Sequence, residues 1–172
     1  MRLFGRQRKP ASPTVEISEK SGVRYLHLGG PAIQSAMRIR DPQALELEYT
    51  RAMMMFQVLH TSPRDICLIG LGGGSIAKYV HRNLAESRLV VLEVLPEVIA
   101  AARSYFLLPE DDAHLVVIAG DGAAYVHAAD AAWDVLLVDG YDAHRIVEDL
   151  ASDSFYLACK RALRAGGLAV FN

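Results

Sequence analysis

A glycine-rich stretch, Gly70-Leu71-Gly72-Gly73-Gly74-Ser75, follows a short apolar run and precedes a helical one. Such a turn lets backbone approach a ligand closely and aims the free N–H groups of a helix start at it. Glycine also serves the bare geometry of a tight turn, so the loop alone says little. A carboxylate strengthens it. Glu93 closes the next apolar run, 23 positions after Gly70, the spacing at which an acid accepts hydrogen bonds from ribose hydroxyls. Loop and carboxylate together read as a nucleoside site.

Asp121-Gly122 follows the third apolar run and opens another helix. There the carboxylate has two balanced readings: acceptor for the amino group of adenine, or cap of the helix it precedes. Asp139 ends the fourth run, and Asp142 follows three residues later in DGYDAH. In an open α/β sheet all four positions converge on the crevice beyond the carboxyl ends of the strands. Like charges brought together cost stability. An acidic rim of this kind favours a cationic ligand and repels a diphosphate.

The elements that must position these residues are legible from Asp65 onward. Apolar runs (DICLIG, RLVVLEV, HLVVIAG, WDVLLVDG, GGLAVF) alternate with helical segments (SIAKYVHRNL, PEVIAAARSYF, DGAAYVHAA, SDSFYLACKRALRA). The runs are continuous and rich in branched residues, as parallel strands covered on both faces must be. Five strands with four intervening helices predict a doubly wound α/β fold.

Ahead of it, TVEISEK and VRYLHL alternate around the Ser21-Gly22 turn, predicting two or three short strands as a small sheet or lid. Asp41-Pro42 carries a helix-start signature, and ALELEYTRAMMMFQVLH predicts a helix reaching Ser62-Pro63, with Met53, Met54 and Met55 as core filler. The organisation expected is a basic tail over 1–13, a small β segment over 14–40, and the α/β domain over 41–172. The sequence ends at Phe171-Asn172, the tip of the fifth strand, and reads as a fragment lacking later strands.

Composition narrows the function classes. With 172 residues, 52% of them hydrophobic, there is enough to bury one core. A formal net charge of -2 excludes a generally basic nucleic-acid surface. No apolar run is long enough to span a membrane. Cys67 and Cys159 sit in apolar segments and read as buried free thiols, which, with no signal-peptide pattern, predicts a reducing cytoplasm. The tail cations Arg2, Arg6, Arg8 and Lys9 read as solvated. No Cys/His spacing suggests a metal site. Trp133 opens a strand and reads as packing rather than as a stacking platform.

Taken in order, GLGGGS, LEV, GDG and VDGYDAH, with FY and LRAGG after them, resemble the spermidine synthase (polyamine aminopropyltransferase) family over roughly Ile33 to Asn172. The resemblance implies a Rossmann-like class I methyltransferase fold and aminopropyl transfer from decarboxylated S-adenosylmethionine to a small cationic amine such as putrescine. Asp139 would be the catalytic base, and Asp142 would hold the amine. Glu93 would bind the cofactor ribose, Asp121 and Gly122 its adenine, and the loop glycines Gly70, Gly72 and Gly74 would also bind the cofactor. Gln34 corresponds to a glutamine beside the cofactor, and Tyr49 to a tyrosine near the amine channel. Tyr141 would line the pocket or cover the adenosine. A homodimer is also implied.

The chain departs from the family pattern in three respects, one being that the family's usual downstream amine-binding region is absent from this sequence. The family loop reads GGGDGG, with an Asp that contacts the aminopropyl ammonium; Gly73 stands there, so the loop lacks a charge favouring the decarboxylated cofactor over S-adenosylmethionine. Ala143 and His144 follow Asp142 where the family commonly has proline, and His144 itself reads as solvated. A methyltransferase of the same fold and a non-catalytic nucleoside- or polyamine-binding module therefore stand beside the first reading.

Overall fold

Branched apolar runs favour extended backbone, and five of them pair side by side in the computed structural model, which describes residues 13–140 and 148–172. The strands are β4 (Asp65–Ile69), β5 (Arg88–Glu93), β6 (Leu115–Ala119), β7 (Trp133–Val138) and β8 (Leu163–Phe171). All neighbours are parallel, in the order β6-β5-β4-β7-β8. The chain winds outward from β4 through β5 to β6, then crosses to β7 on the other side of β4. That reversal opens a crevice at the carboxyl end of β4, where ligands of such sheets sit. The expected doubly wound fold is present.

Side chains of successive strand residues point to opposite faces, and both faces are covered. Ile66, Leu68, Leu89, Val91, Val135 and Leu137 face α2 (Ser75–Asn83) and α1 (Glu48–Met53). Cys67, Ile69, Val90, Leu92, Leu136 and Val138 face α4 (Gly122–His127) and α5 (Asp153–Ala162). Leu68 and Leu136 are almost wholly buried, and cutting either to Ala costs about 2–5 kcal/mol. Trp133 packs against Tyr125 within this core, as expected of a packing residue. Both cysteines are buried with free thiols. Burial, then the neighbouring Cys159, pushes Cys67 up to about 12, so it stays protonated and unreactive.

The N-terminal segment forms a three-stranded antiparallel sheet, β1 (Val15–Lys20), β2 (Val23–Leu28) and β3 (Ile33–Arg38). It docks on α3 (Pro96–Phe106), with Leu26 and Met37 packed against Val98, Ala101 and Phe106. Docking this way carries the β2–β3 connection and the start of β3 to the mouth of the crevice.

Three expectations need correcting. The helix does not begin at Asp41-Pro42: α1 starts at Glu48. Asp41 is drawn back on β3 instead, its N–H donating to the Arg38 carbonyl at 3.2 Å. The Arg38 guanidinium meanwhile pins Glu46 at 2.9 Å, which holds the intervening turn open. After Met53 the helix tightens into a 3₁₀ turn over Met54–Val58; Met53 and Met54 join the core while Met55 is exposed. Finally, α5 stops at Ala162 and the following LRA is already strand, because Leu163 pairs with Trp133. The tail cations Arg2, Arg6, Arg8 and Lys9 lie outside the described residues.

At the amino ends of the strands, Asp65 and Asp134 meet one cation. Arg164 Nη1 lies 2.8 Å from Asp65 and 3.0 Å from Asp134. Asp134 Oδ2 also accepts the N–H groups of Arg64 and Asp65, at 2.7 and 2.9 Å.

Candidate functional site

The glycine loop succeeds β4 because no larger residue fits where it turns. Gly70 has φ +92°, and a Cβ there would fall 2.1 Å from the Asp139 carbonyl oxygen. Its N–H donates to Leu92 O at 2.9 Å, and the Asp139 N–H donates to Ile69 O at 2.8 Å. The tips of β5, β4 and β7 are thereby fastened into one rim. Gly72, at φ +53°, lets β3 approach, with Ser35 and Gln34 against it. Gly122 brings α4 onto the β4 tip, since a Cβ would meet Ile69 at 2.6 Å.

Beyond this rim lies a cavity of about 780 Å³. Glu93, Asp121 and Asp139 all reach its wall, with Gln34, Tyr49, Gly70, Gly72 and Gly122. Three acids from different strand tips thus share one space. Among the described lining residues there is no Lys, Arg or His. Gly74 does not reach the wall: it sits at the start of α2 with φ +73°, its missing side chain directed at Leu108. Gly73 likewise faces inward, toward Phe106 and Ser35. Tyr141, Asp142 and His144 lie outside the described residues.

Strand order divides the cavity into two ends. On the β5–β6 side, Glu93 is buried, with Oε2 accepting the Leu71 N–H at 3.1 Å and Oε1 accepting the Leu95 N–H at 3.0 Å. One backbone donor per oxygen fixes the carboxylate, and each oxygen keeps acceptor capacity for a diol. Asp121 satisfies both readings given for it. Its Oδ1 caps α4 by accepting the Ala123 and Ala124 N–H groups at 2.8 and 3.3 Å, and the residue also forms cavity wall. Leu92, Leu95 and Leu150 supply apolar surface for a flat ring system.

On the β7–β8 side stands Asp139. Its Oδ2 accepts from the Tyr49 hydroxyl at 3.1 Å, and its Oδ1 accepts from Asn172 Nδ2 at 2.9 Å. Burial pushes the Asp139 carboxyl above the usual range, and the bonds from Asn172 and Tyr49 only partly oppose it. The Tyr49 phenol is driven far above its ordinary value by burial and then by the Asp139 charge, so it remains a donor. A carboxylate so placed is a stronger base than one in water. Together these features place a buried, basic carboxylate on one side of the glycine loop and, on the other, a recess bordered by a fixed carboxylate and apolar side chains.

Two residues of the site region gave no signal in the sequence. Asn172 reaches Asp139 only because its own N–H extends the β7–β8 pairing, donating to Val138 O at 3.0 Å. Lys78 lies on α2 at a position that reads as surface, yet its side chain is almost fully buried behind the loop. Among the described residues, no group of three His, Cys, Asp or Glu is placed to hold a metal, and no helix is long and apolar enough to cross a membrane.

The family model of the spermine/spermidine synthase domain matches residues 46–172. A polyamine aminopropyltransferase of Chromobacterium violaceum is 43% identical over 175 residues, covering 100% of this chain and 67% of that protein. The crystal structure of a probable spermidine synthase from Corynebacterium glutamicum superposes with a TM-score of 0.81 at 24% identity, over 99% of this chain and 64% of that one. Human methyltransferase-like protein 13, solved in complex with SAH, superposes with a TM-score of 0.62 at 23% identity, over 72% of this chain and 63% of that one. The chain spans 67% of the length of the Chromobacterium violaceum aminopropyltransferase and 64% of that of a polyamine aminopropyltransferase from Neisseria meningitidis.

Proposed function

Because the chain belongs to the spermine/spermidine synthase domain family, we propose that it transfers an aminopropyl group from decarboxylated S-adenosylmethionine to a diamine such as putrescine, with Asp139 as general base. The observation that carries this is the wall itself. Three carboxylates and no basic side chain among its described residues suit a sulfonium and an amine, both cationic, and would repel a phosphate-bearing cofactor.

Each residue has a part in that proposal. Glu93 accepts the ribose hydroxyls, Asp121 with Gly122 meets the adenine, and Gly70 and Gly72 let backbone lie against the sulfonium end. Gln34 borders the donor from β3. Tyr49 and Asn172 hold the Asp139 carboxylate in one orientation. Asp142 is assigned to the amine, as the resemblance implies, and Tyr141 to lining the pocket or covering the adenosine.

An alkylamine has a pKa of about 10.4, so freeing its lone pair at pH 7 costs about 4–5 kcal/mol. Asp139 takes that proton, and its raised basicity reduces the cost. The freed nitrogen then bonds to the carbon beside sulfur as the C–S bond breaks and its electron pair returns to sulfur. The sulfonium supplies a leaving group that departs as a neutral thioether, so the step requires no Lewis acid. The new secondary ammonium keeps its own proton, and Asp139 returns the one it took to water. Buried, unpaired thiols fit a cytoplasmic enzyme, and a homodimer is the assembly the family resemblance implies.

Calorimetric titration with decarboxylated S-adenosylmethionine, S-adenosylmethionine and methylthioadenosine tests the proposal. Tighter binding of the decarboxylated form and turnover with putrescine support it. Preference for the intact form favours a methyltransferase, the second reading, which rests on the uncharged Gly73 and on a fold shared with methyltransferases. Binding without turnover of any amine leaves a non-catalytic module.

A further inference from the structure

An ammonium group carried into a protein interior without a carboxylate partner is costly, so its surroundings indicate what it serves. Lys78 is among the bulkiest of the almost fully buried side chains. Its Nζ donates to Phe106 O at 2.7 Å and approaches the Met37 sulfur at 3.2 Å. Burial pulls its pKa down to about 8. Phe106 is the last residue of α3 and Met37 belongs to β3. One side chain of α2 therefore ties together three separate elements.

Those elements make the back of the donor recess. Along β3, Gln34 faces the cavity, Ser35 lies against Gly72 and Gly73, and the Ala36 carbonyl accepts from Ser75 Oγ at 3.3 Å. Met37 completes the seam at Lys78. From the other side, the Phe106 ring lies so close to Gly73 that a Cβ there would stand 2.8 Å from it, and equally close to Ser35 Oγ. The loop is thus held between β3 and the end of α3, and Lys78 is the point where both are fastened.

We propose that Lys78 is a positioning residue for the nucleoside donor: by binding the Phe106 carbonyl and the Met37 sulfur it fixes the glycine loop and Gln34 in the shape that receives the ligand. This rests on the cavity being the nucleoside site proposed above. The competing account is a purely structural fastening, and the two differ in what they move. Lys78→Met keeps the length and removes a buried charge, so on the structural account it alters stability alone.

The test uses the whole chain with methylthioadenosine as probe. Lys78→Met is expected to bind it about tenfold more weakly, the scale at which residues without ligand contact act through their neighbours. Its melting temperature should equal or exceed that of the wild type. Lys78→Arg, which keeps a charged donor, recovers most of the affinity. In turnover, KM for the donor rises while kcat holds, since Asp139 stands on the opposite wall. Met37→Leu conserves volume and removes only the sulfur, and is expected to cost about threefold in affinity. Affinities within twofold of wild type in both Lys78→Met and Met37→Leu overturn the proposal. If wild type itself fails to bind methylthioadenosine, the functional reading falls separately. Amide exchange in the unliganded chain then tests the fastening by itself: faster exchange at Gln34–Met37 in Lys78→Met upholds Lys78 as the group that fixes this seam, and unchanged protection overturns the proposal.

Discussion

Two groups of carboxylates sit at opposite ends of the same parallel strands, and the forces on them are alike while the outcomes differ. At the amino ends, burial works to raise Asp134, but the N–H groups of Asp65 and Arg64 and then the Arg164 guanidinium outweigh it and hold the acid below its usual range. At the carboxyl ends, burial also acts on Asp139, and the donors there, Asn172 and Tyr49, are too few to reverse it. The first acid is neutralised from within the fold. The second is left wanting a proton or a cation. That contrast separates a carboxylate that fastens strands from one that can take part in chemistry.

The harshest way to probe the contrast is to neutralise Asp139. Asp139→Asn keeps the shape and both neighbours, and aminopropyl transfer is expected to fall by about 10²–10⁴-fold, the scale of general base catalysis. Methylthioadenosine affinity should stay within twofold by calorimetry, because Glu93 and Asp121 stand across the glycine loop. Transfer at the wild-type rate would remove Asp139 from the mechanism. The mirror experiment is Asp134→Ala. It strips two backbone N–H groups and Arg164 of their acceptor and is expected to cost about 1–3 kcal/mol of stability in urea. Turnover per folded molecule should not change, and a loss of turnover without loss of stability would erase the distinction between the two ends.

Acid sharpens the same comparison. As the proposed base, Asp139 would act only when ionised, so transfer is expected to be lost as pH falls through its raised pKa. Asp134, depressed in the folded state, stabilises above its unfolded pKa and loses that contribution only as pH falls through the lower folded value. Activity should therefore vanish at a higher pH than the fold, and coincident transitions in rate and circular dichroism would contradict the assignment. The smallest effect expected is that of Tyr49→Phe. Removing one of two donors to Asp139 moves the acid limb of the rate profile upward and lowers the rate a few-fold, in line with about 1 kcal/mol for one hydrogen bond.

What the sequence disclosed and what it withheld divide along a physical line. Continuous branched runs such as RLVVLE and WDVLLV announce buried parallel strands because burial on both faces is itself a compositional demand. The glycine loop and Glu93 are legible because their chemistry sits within one turn of chain. Asp121 stayed ambiguous for a good reason: capping α4 and facing the cavity are compatible, and it does both. The helix start at Asp41 misled because a local preference of this size yields to the Arg38–Glu46 pair and to the bridge back onto β3. Asn172 and Lys78 were invisible because their partners, Asp139, Phe106 and Met37, lie 28 to 41 residues away along the chain. No local pattern encodes such a meeting.

At Gly70, the difference between a hydrogen and a methyl group governs how near two strand tips can come. The backbone of Asp139 rests where that methyl would be. Any other residue at that point would wedge the halves of the crevice apart and move Asp139, the proposed base, away from the Glu93 side. The width of one methyl group thus sets how near the two ends of the cavity lie, and protein engineers seeking new ligands have the remaining walls to work with, but not this one.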